Sequence, residues 1–232
     1  MSARRALTSL ALLLLVVGCA GERQPTGMKI PTAVPHAVRW AGGHLPQFSA
    51  GNVLPEGNAQ DGLHAFLSGG LSLDRNTATF WAVRGQQRSI QINYLSSTGG
   101  TSAPFLNLTL TDPVFVPGRG NLAVGDSVLI TVTIDPSAIE VSLEPTGLQF
   151  GNPAEMRISY GGAAGDLNGD GVVNATDAQI ETKLLGMWYR EGSNSTWEQI
   201  PASQTIADKS FTCALQHFSQ YAVSFLEYAV SW

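Results

Sequence analysis

The sequence predicts a mainly β fold, an antiparallel β-sandwich with one short helix. Charged residues make up only 13% of the 232 residues, and 25 glycines and 12 prolines leave little room for long helices. Several segments alternate apolar and polar residues with a period of two, which is typical of strands that bury one face. Turn residues recur between these segments, as they do in a sandwich of short strands joined by tight turns.

The alternation is clearest in three segments, residues 88–94, 127–134 and 156–160. In the first of these, Ile90, Ile92 and Tyr94 share one face of the predicted strand. We expect further strands at residues 78–83, 105–110, 139–143, 185–190, 211–217 and 221–225. Glycine-rich turns are predicted between them at residues 97–100, 117–120 and 161–162.

Residues 1–18 have the pattern of a secretory signal peptide. Two arginines precede an apolar run at residues 10–17, which is too short to span a bilayer, since a span needs about 20 apolar residues. The run ends in Val-Val-Gly-Cys, which resembles the lipobox of bacterial lipoproteins, where the cysteine becomes the first mature residue. That resemblance implies that Cys19 is lipidated and, with Ala20 after it, that the anchor lies in an outer membrane. The alternative is an ordinary cleaved signal with an incidental cysteine.

The mature chain is expected to consist of a tether and a body. Residues 19–46 are rich in proline and glycine without sustained periodicity, so we interpret them as an extended tether, and residues 47–232 as the β-sandwich body. Loss of residues 1–18 removes two arginines and changes the formal net charge from −5 to −7. A body this acidic has no basic patch for a phosphate backbone, so we expect no nucleic-acid partner. Membrane attachment is expected through the lipid on Cys19.

The most specific chemistry lies in the twelve residues 166–177, Asp-Leu-Asn-Gly-Asp-Gly-Val-Val-Asn-Ala-Thr-Asp. Oxygen-bearing side chains fall at positions 1, 3, 5, 9 and 12 of this segment, and Gly171 at position 6 allows a sharp turn. This is the spacing of an EF-hand loop, in which position 7 contributes its backbone carbonyl. The predicted metal ligands are Asp166, Asn168, Asp170, Val172 through its carbonyl, Asn174 and Asp177.

We expect this loop to bind one Ca²⁺ ion in a structural role. Its three carboxylates repel one another until a cation balances them, and Mg²⁺ is disfavoured because it demands tight octahedral geometry. A short helix is predicted directly after the loop, at residues 175–184, where Ile180 and Leu184 lie four residues apart on one face. The alternative is an Asx-rich turn that holds no metal, since Asp, Asn and Gly are also ordinary turn formers.

The pattern D-x-N-x-D-G-x-x-N-x-x-D is similar to the calcium loop of dockerin repeats, in which aspartate at position 12 is normal. The resemblance covers the loop and the helix that follows. Dockerins that bind cohesin carry two such repeats, whereas this sequence has one. A dockerin-like partnership with a scaffold protein is therefore kept as an alternative, and we expect no binding to cohesin.

Three short motifs lie in residues 147–225: F-x-x-P-A at 150–154, W-x-x-I-P at 197–201 and H-F-S-x-Y-A-V at 217–223. Together they resemble bacterial ZU5-like β-sandwich domains. The resemblance implies an interaction or structural module without catalytic residues. It also implies that the calcium-type loop is an insertion between two strands of such a domain.

The sequence favours a non-catalytic function. It contains no G-x-S-x-G elbow, HExxH pair or GxxxxGK[ST] phosphate loop, and Cys213 lacks an activating signature. We therefore expect a calcium-binding, lipid-anchored protein of the cell envelope that serves as an interaction module for a protein or cell-wall partner. Its orientation in the envelope, periplasmic or surface, and its oligomeric state are left open.

Two other hypotheses remain. One is a carbohydrate-binding or adhesion module of the cell surface, although aromatic residues of a sandwich are more often core residues. Its candidate sugar-stacking aromatics are Trp188, Trp197, Phe218 and Tyr221. The other is a hydrolase with a hidden carboxylate pair of the glycosidase type, because such pairs lie far apart in sequence and close together in space.

Overall fold

A computed structural model describes residues 34–51, 54–55, 71–95 and 103–226. All the described residues belong to one compact unit, Ala33–Trp232. The predicted signal peptide, the lipidated Cys19 and the turn at 97–100 lie outside the described residues. Among the residues that are described, no helix combines the length and the apolar character needed to cross a membrane.

The described residues form 17 β-strands. Their bounds are β1 His36–Ala37, β2 Phe48–Ala50, β3 Leu54–Pro55, β4 Ser72–Asp74, β5 Thr77–Val83, β6 Arg88–Tyr94, β7 Pro104–Leu110, β8 Pro113–Val116, β9 Gly120–Asn121, β10 Ser127–Ile134, β11 Glu140–Glu144, β12 Gln149–Ser159, β13 Leu185–Arg190, β14 Glu198–Ile200, β15 Ser203–Thr205, β16 Ser210–His217 and β17 Gln220–Phe225. An α-helix, α1, runs from Ala175 to Gln179 and continues as a π-helical turn, Ile180–Leu184.

The strands form two antiparallel sheets, which confirms the predicted fold class. The eight-stranded sheet has the order β14-β13-β17-β11-β10-β5-β4, with β1 pairing to β17. The nine-stranded sheet has the order β15-β16-β12-β7-β6-β2, with β3 pairing to β6, and β8 pairing to β12 and β9. The apolar faces of the two sheets pack together in one hydrophobic cluster to form the sandwich.

Period-two alternation sorts the residues of each long strand between the core and the outer face. In β10, Val128, Ile130, Val132 and Ile134 are buried, whereas Leu129 between them is 45% exposed. Full burial of each such aliphatic side chain contributes about 1.5–3 kcal/mol to stability. The alternation read from the sequence therefore reports correctly which face of the strand meets the core.

The segment 147–225, which carries the three motifs read as ZU5-like, does not form a sheet of its own. Its strands β12 and β16 lie in the nine-stranded sheet, where β12 pairs with the earlier strand β7. Its strands β13 and β17 lie in the eight-stranded sheet, where β17 pairs with the earlier strand β11. Both halves of the body thus share a single core.

The body begins well before residue 47, so the predicted tether at 19–46 is too long. Val38 is completely buried and Trp40 is 2% exposed, and both belong to the hydrophobic core. The indole Nε1 of Trp40 donates a hydrogen bond to the carbonyl oxygen of Asp135 at 2.8 Å. Prolines and glycines on either side reduce the alternation here to two apolar residues, which is too short a pattern to identify a strand.

Substitution of Trp40 tests this earlier boundary. Trp40→Ala is expected to lower the free energy of unfolding by about 3–5 kcal/mol, because it removes a buried ring and leaves a cavity. The ring packs against Phe48 and Phe105, with centroids 6.0 and 5.5 Å away. Val34→Ala, at a side chain that is 74% exposed, should change stability by less than about 0.5 kcal/mol. Urea unfolding measures the stability of both variants. If both substitutions have equally small effects, Trp40 does not belong to the folded body and the earlier boundary is wrong.

Candidate functional site in the loop 166–177

The loop 166–177 lies where the chain crosses from one sheet to the other. β12 ends at Ser159 in the nine-stranded sheet, and β13 begins at Leu185 in the eight-stranded sheet. Between them, Leu167 and Ile180 are each 4% exposed and belong to the hydrophobic core. These two apolar side chains anchor the crossing on both sides of a polar arc.

Asp166 folds the first half of the loop around its carboxylate. Its Oδ1 accepts a hydrogen bond from the backbone N–H of Gly169 at 2.9 Å, and its Oδ2 accepts one from Gly171 at 2.9 Å. The two glycines have φ angles of 74° and 85°, in the left-handed region that glycine adopts without a Cβ clash. The sharp turn predicted at position 6 is therefore present at Gly171.

Asp177 closes the loop from its other end. The residue is 3% exposed, and its Oδ1 accepts hydrogen bonds from the backbone N–H groups of Leu167 and Asn168 at 2.8 and 3.3 Å. Its Oδ2 accepts from the N–H of Asn174 at 2.9 Å. One buried carboxylate thus joins the beginning of the loop to the beginning of α1.

Asn174 and Asp177 also cap α1 reciprocally. The side-chain oxygen of Asn174 accepts from the backbone N–H of Thr176 at 2.7 Å, while Asp177 accepts from the backbone of Asn174, as in a capping box. Burial alone would raise the pKa of Asp177, but its backbone N–H donors outweigh that effect and hold the pKa below its ordinary value. Asp177 is therefore ionised at neutral pH.

The outer arc of the loop is held by short-range hydrogen bonds between exposed groups. Oδ1 of Asp170 accepts from the N–H of Val172 at 2.8 Å, and Oδ1 of Asn168 accepts from the N–H of Asp170 at 3.1 Å. Nδ2 of Asn168 donates to Oδ2 of Asp170 at 2.9 Å. Nδ2 of Asn174 donates to the carbonyl of Val172 at 3.2 Å. Each of these predicted ligand groups is therefore already hydrogen-bonded to a residue two positions away in the loop.

The oxygen ligands of the loop are of the type that a hard cation prefers, although the carboxylates do not surround a common point. Across the described ranges, no three His, Cys, Asp or Glu side chains are placed to hold a metal ion. A carboxylate oxygen can accept two bonds, so each oxygen of Asp166 keeps one acceptor position free. Oδ1 of Asp177 already accepts two hydrogen bonds and Oδ2 accepts one. Asp177 can therefore offer a cation one oxygen without losing a backbone hydrogen bond.

A partly buried polar network behind the loop, which no local sequence pattern predicts, ties the π-helical turn to the nine-stranded sheet. Nζ of Lys209 donates to both carboxylate oxygens of Glu181 at 2.6 and 2.8 Å. The hydroxyl of Tyr160 donates to Glu181 at 2.9 Å and accepts from Nε2 of Gln204 at 3.0 Å. Burial is the main cause that raises the pKa of Tyr160 to about 12. These residues lie too far apart in sequence to show any local pattern.

The four candidate sugar-stacking aromatics do not form one platform. Phe218 is completely buried, Tyr221 is 3% exposed and Trp188 is 6% exposed. The Nε1 of Trp188 donates to the carbonyl oxygen of Ser224 at 3.2 Å. Trp197 is half-buried, and the guanidinium of Arg190 lies 4.5 Å from the centre of its ring. Of the four rings, three are therefore packing residues.

Comparisons with protein-family models, with curated proteins and with solved structures find no match to this chain.

Two substitutions separate the structural role of Asp177 from ion binding. In metal-free buffer, Asp177→Ala is expected to lower the free energy of unfolding by about 1–3 kcal/mol, because three backbone N–H groups lose their acceptor. Asp170→Ala removes only exposed hydrogen bonds and should change stability by less than about 1 kcal/mol. Urea unfolding in the presence of a chelator measures both. Equal losses would contradict the assignment of Asp177 as the residue that closes the loop.

Proposed function

We propose that this protein is a non-catalytic, lipid-anchored component of the bacterial cell envelope whose β-sandwich binds one calcium ion and serves as an interaction module. The observation that carries the calcium assignment is the folding of the loop 166–177. Its residues have EF-hand spacing, Asp166 folds the first half around Gly171, and Asp177 closes the loop onto α1. Its ligand set is the predicted one, with Asp177 contributing one oxygen.

The chemistry of the loop favours calcium over other common metals. All six ligand groups offer oxygen, which hard cations prefer, and none offers the nitrogen or sulfur that zinc sites use. An ion bound here would balance the carboxylates of Asp166, Asp170 and Asp177, which otherwise repel one another within one short loop. The role is structural, because the ion would stiffen the crossing between the two sheets.

Of two residues that could carry catalysis, Cys213 is buried and His217 contacts its strand neighbours, which supports a non-catalytic role. Cys213 is 4% exposed, and burial is the main cause that raises the pKa of its thiol to about 12, far from a reactive thiolate. Nδ1 of His217 lies 3.3 Å from the carbonyl oxygen of Phe218, and its ring packs edge-on against Tyr189. Nε2 of His217 lies 3.5 Å from a carboxylate oxygen of Glu191, and among the described residues no hydrogen bond joins His217 to Cys213.

The lipid anchor is proposed from the lipobox-like sequence, and the earlier start of the body sets the length of the tether. The segment from Cys19 to Val34 spans at most about 54 Å when fully extended. A module placed in this way can meet a partner within the envelope while its anchor stays in the membrane.

Calcium binding is tested by calorimetric titration of the metal-stripped chain 20–232. We expect saturable binding at one site and a calcium-dependent gain in stability of about 2.7 kcal/mol at an ion concentration 100 times the Kd. Asp170→Ala should weaken binding at least tenfold because it removes a ligand without loosening the fold. Glu155→Ala, at an exposed carboxylate on β12, is the matched control and should bind normally. Absence of both heat and calcium-dependent stabilisation would remove the calcium site.

Lipidation is tested by labelling the full chain with a radioactive fatty acid during expression in a bacterium. Cys19→Ala should abolish the label and leave the precursor uncleaved, because the thiol that carries the acyl chains is missing. Cys213→Ala should keep the label, since that thiol lies in the core. Labelling that persists in Cys19→Ala would show that Cys19 is an incidental cysteine.

A further inference from the structure

A groove lined by both polar and apolar residues lies on the outer face of the nine-stranded sheet. Its volume is about 570 Å³, and it follows β7, β12 and the start of β16 as far as the turn Ile206–Asp208. Small-ligand sites usually measure about 300–1,000 Å³, so the groove has the size of a binding site. None of the four aromatics considered from the sequence lines it.

The sheet register brings two polar side chains together in this groove. Asn107 of β7 lies directly opposite Arg157 of β12. Met156 and Ile158, the neighbours of Arg157 in the strand, are completely buried, so Arg157 projects from the opposite, outer face. Asn107 and Arg157 line the groove, although 50 residues separate them in sequence.

The guanidinium of Arg157 is held in place from two sides. Its Nε donates to Oγ of Ser210 at 3.1 Å, and its Nη2 donates to Oδ2 of Asp208 at 2.9 Å. Within the described part of the chain, the amide of Asn107, Nη1 of Arg157 and Oδ1 of Asp208 make no hydrogen bond. The groove is thus lined by a hydrogen-bond donor, an acceptor and an amide that is both, and each of these groups can still bond to a ligand.

The charges of the groove are balanced. Arg157 is paired with Asp208 at 2.9 Å, and Lys209, which also lines the groove, is paired with Glu181 at 2.6 Å. An anion would be repelled by Asp208, and a cation by Arg157 and Lys209. The groove therefore favours an uncharged ligand that presents both polar and apolar surface.

We infer that this groove binds a short neutral oligosaccharide. A sugar hydroxyl both donates and accepts hydrogen bonds, so neighbouring hydroxyls can pair with an amide, a guanidinium and a carboxylate at the same time. Pro104 and Ala207 offer apolar surface to the C–H groups of a sugar ring. The inference names a partner class for the interaction module and rests on the proposed function for its place in the cell envelope.

The test is an NMR titration of the ¹⁵N-labelled chain 20–232 with N,N′,N″-triacetylchitotriose, cellotriose and maltotriose, each to about 10 mM, where binding with a Kd of 1 mM or tighter approaches saturation. We expect saturable shifts of the backbone amides of Asn107, Arg157 and Asp208 with at least one of these neutral sugars. A chelator is present throughout, so failure of the calcium site leaves this result unaffected.

Four variants assign the binding to the groove. Asn107→Ala and Arg157→Ala should each weaken binding at least tenfold, and Asp208→Asn should weaken it while keeping the shape of the side chain. Glu155→Ala, on the same strand and the same face as Arg157 but outside the groove, should bind like the parent chain. The amide spectrum of each variant reports whether it is folded.

Three outcomes would overturn the inference. These are no saturable shift with any of the three sugars, shifts that the folded groove variants leave unchanged, and tighter binding of the charged trisaccharide trigalacturonate than of the neutral ones.

Discussion

Neither sheet of this protein can form without the other, because the chain changes sheet again and again. β5 lies in the eight-stranded sheet and β6 in the nine-stranded one, and the same change recurs between β11 and β12, β12 and β13, and β16 and β17. Strands far apart in sequence must therefore meet before either apolar face is covered. Folding is expected to be cooperative over the whole body, and long-range strand pairing is expected to limit its rate.

The loop 166–177 belongs to the longest of these crossings within the described residues, from Ser159 to Leu185. A connection this long lies outside the sheets, so its backbone N–H and C=O groups need hydrogen-bond partners within the connection itself. Asp177 supplies that order locally through its bonds to both ends of the loop. An ion bound by the remaining oxygen lone pairs would stabilise a loop that these hydrogen bonds have already folded.

Local features of the molecule could be predicted from the sequence, and long-range ones could not. The strands around Ile90 and Ile130 are long enough to show their period, and the loop 166–177 carries its whole pattern within twelve residues. Strands of two to four residues, such as β1, β8 and β15, are too short to show any period. The groove could not be predicted for a different reason. Asn107 and Arg157 meet only through the register of β7 against β12, which joins residues far apart in sequence.

The pairing of β1 with β17 also determines how the body responds to mechanical tension. A pull on the chain upstream of Val34 first meets the two paired residues of β1 and then Trp40, whose ring is buried among Phe48 and Phe105. The load therefore enters the middle of the sandwich instead of peeling away an outer strand. Tension applied at this end of the body would act on buried residues of the core, and we expect the fold to resist extension from this end.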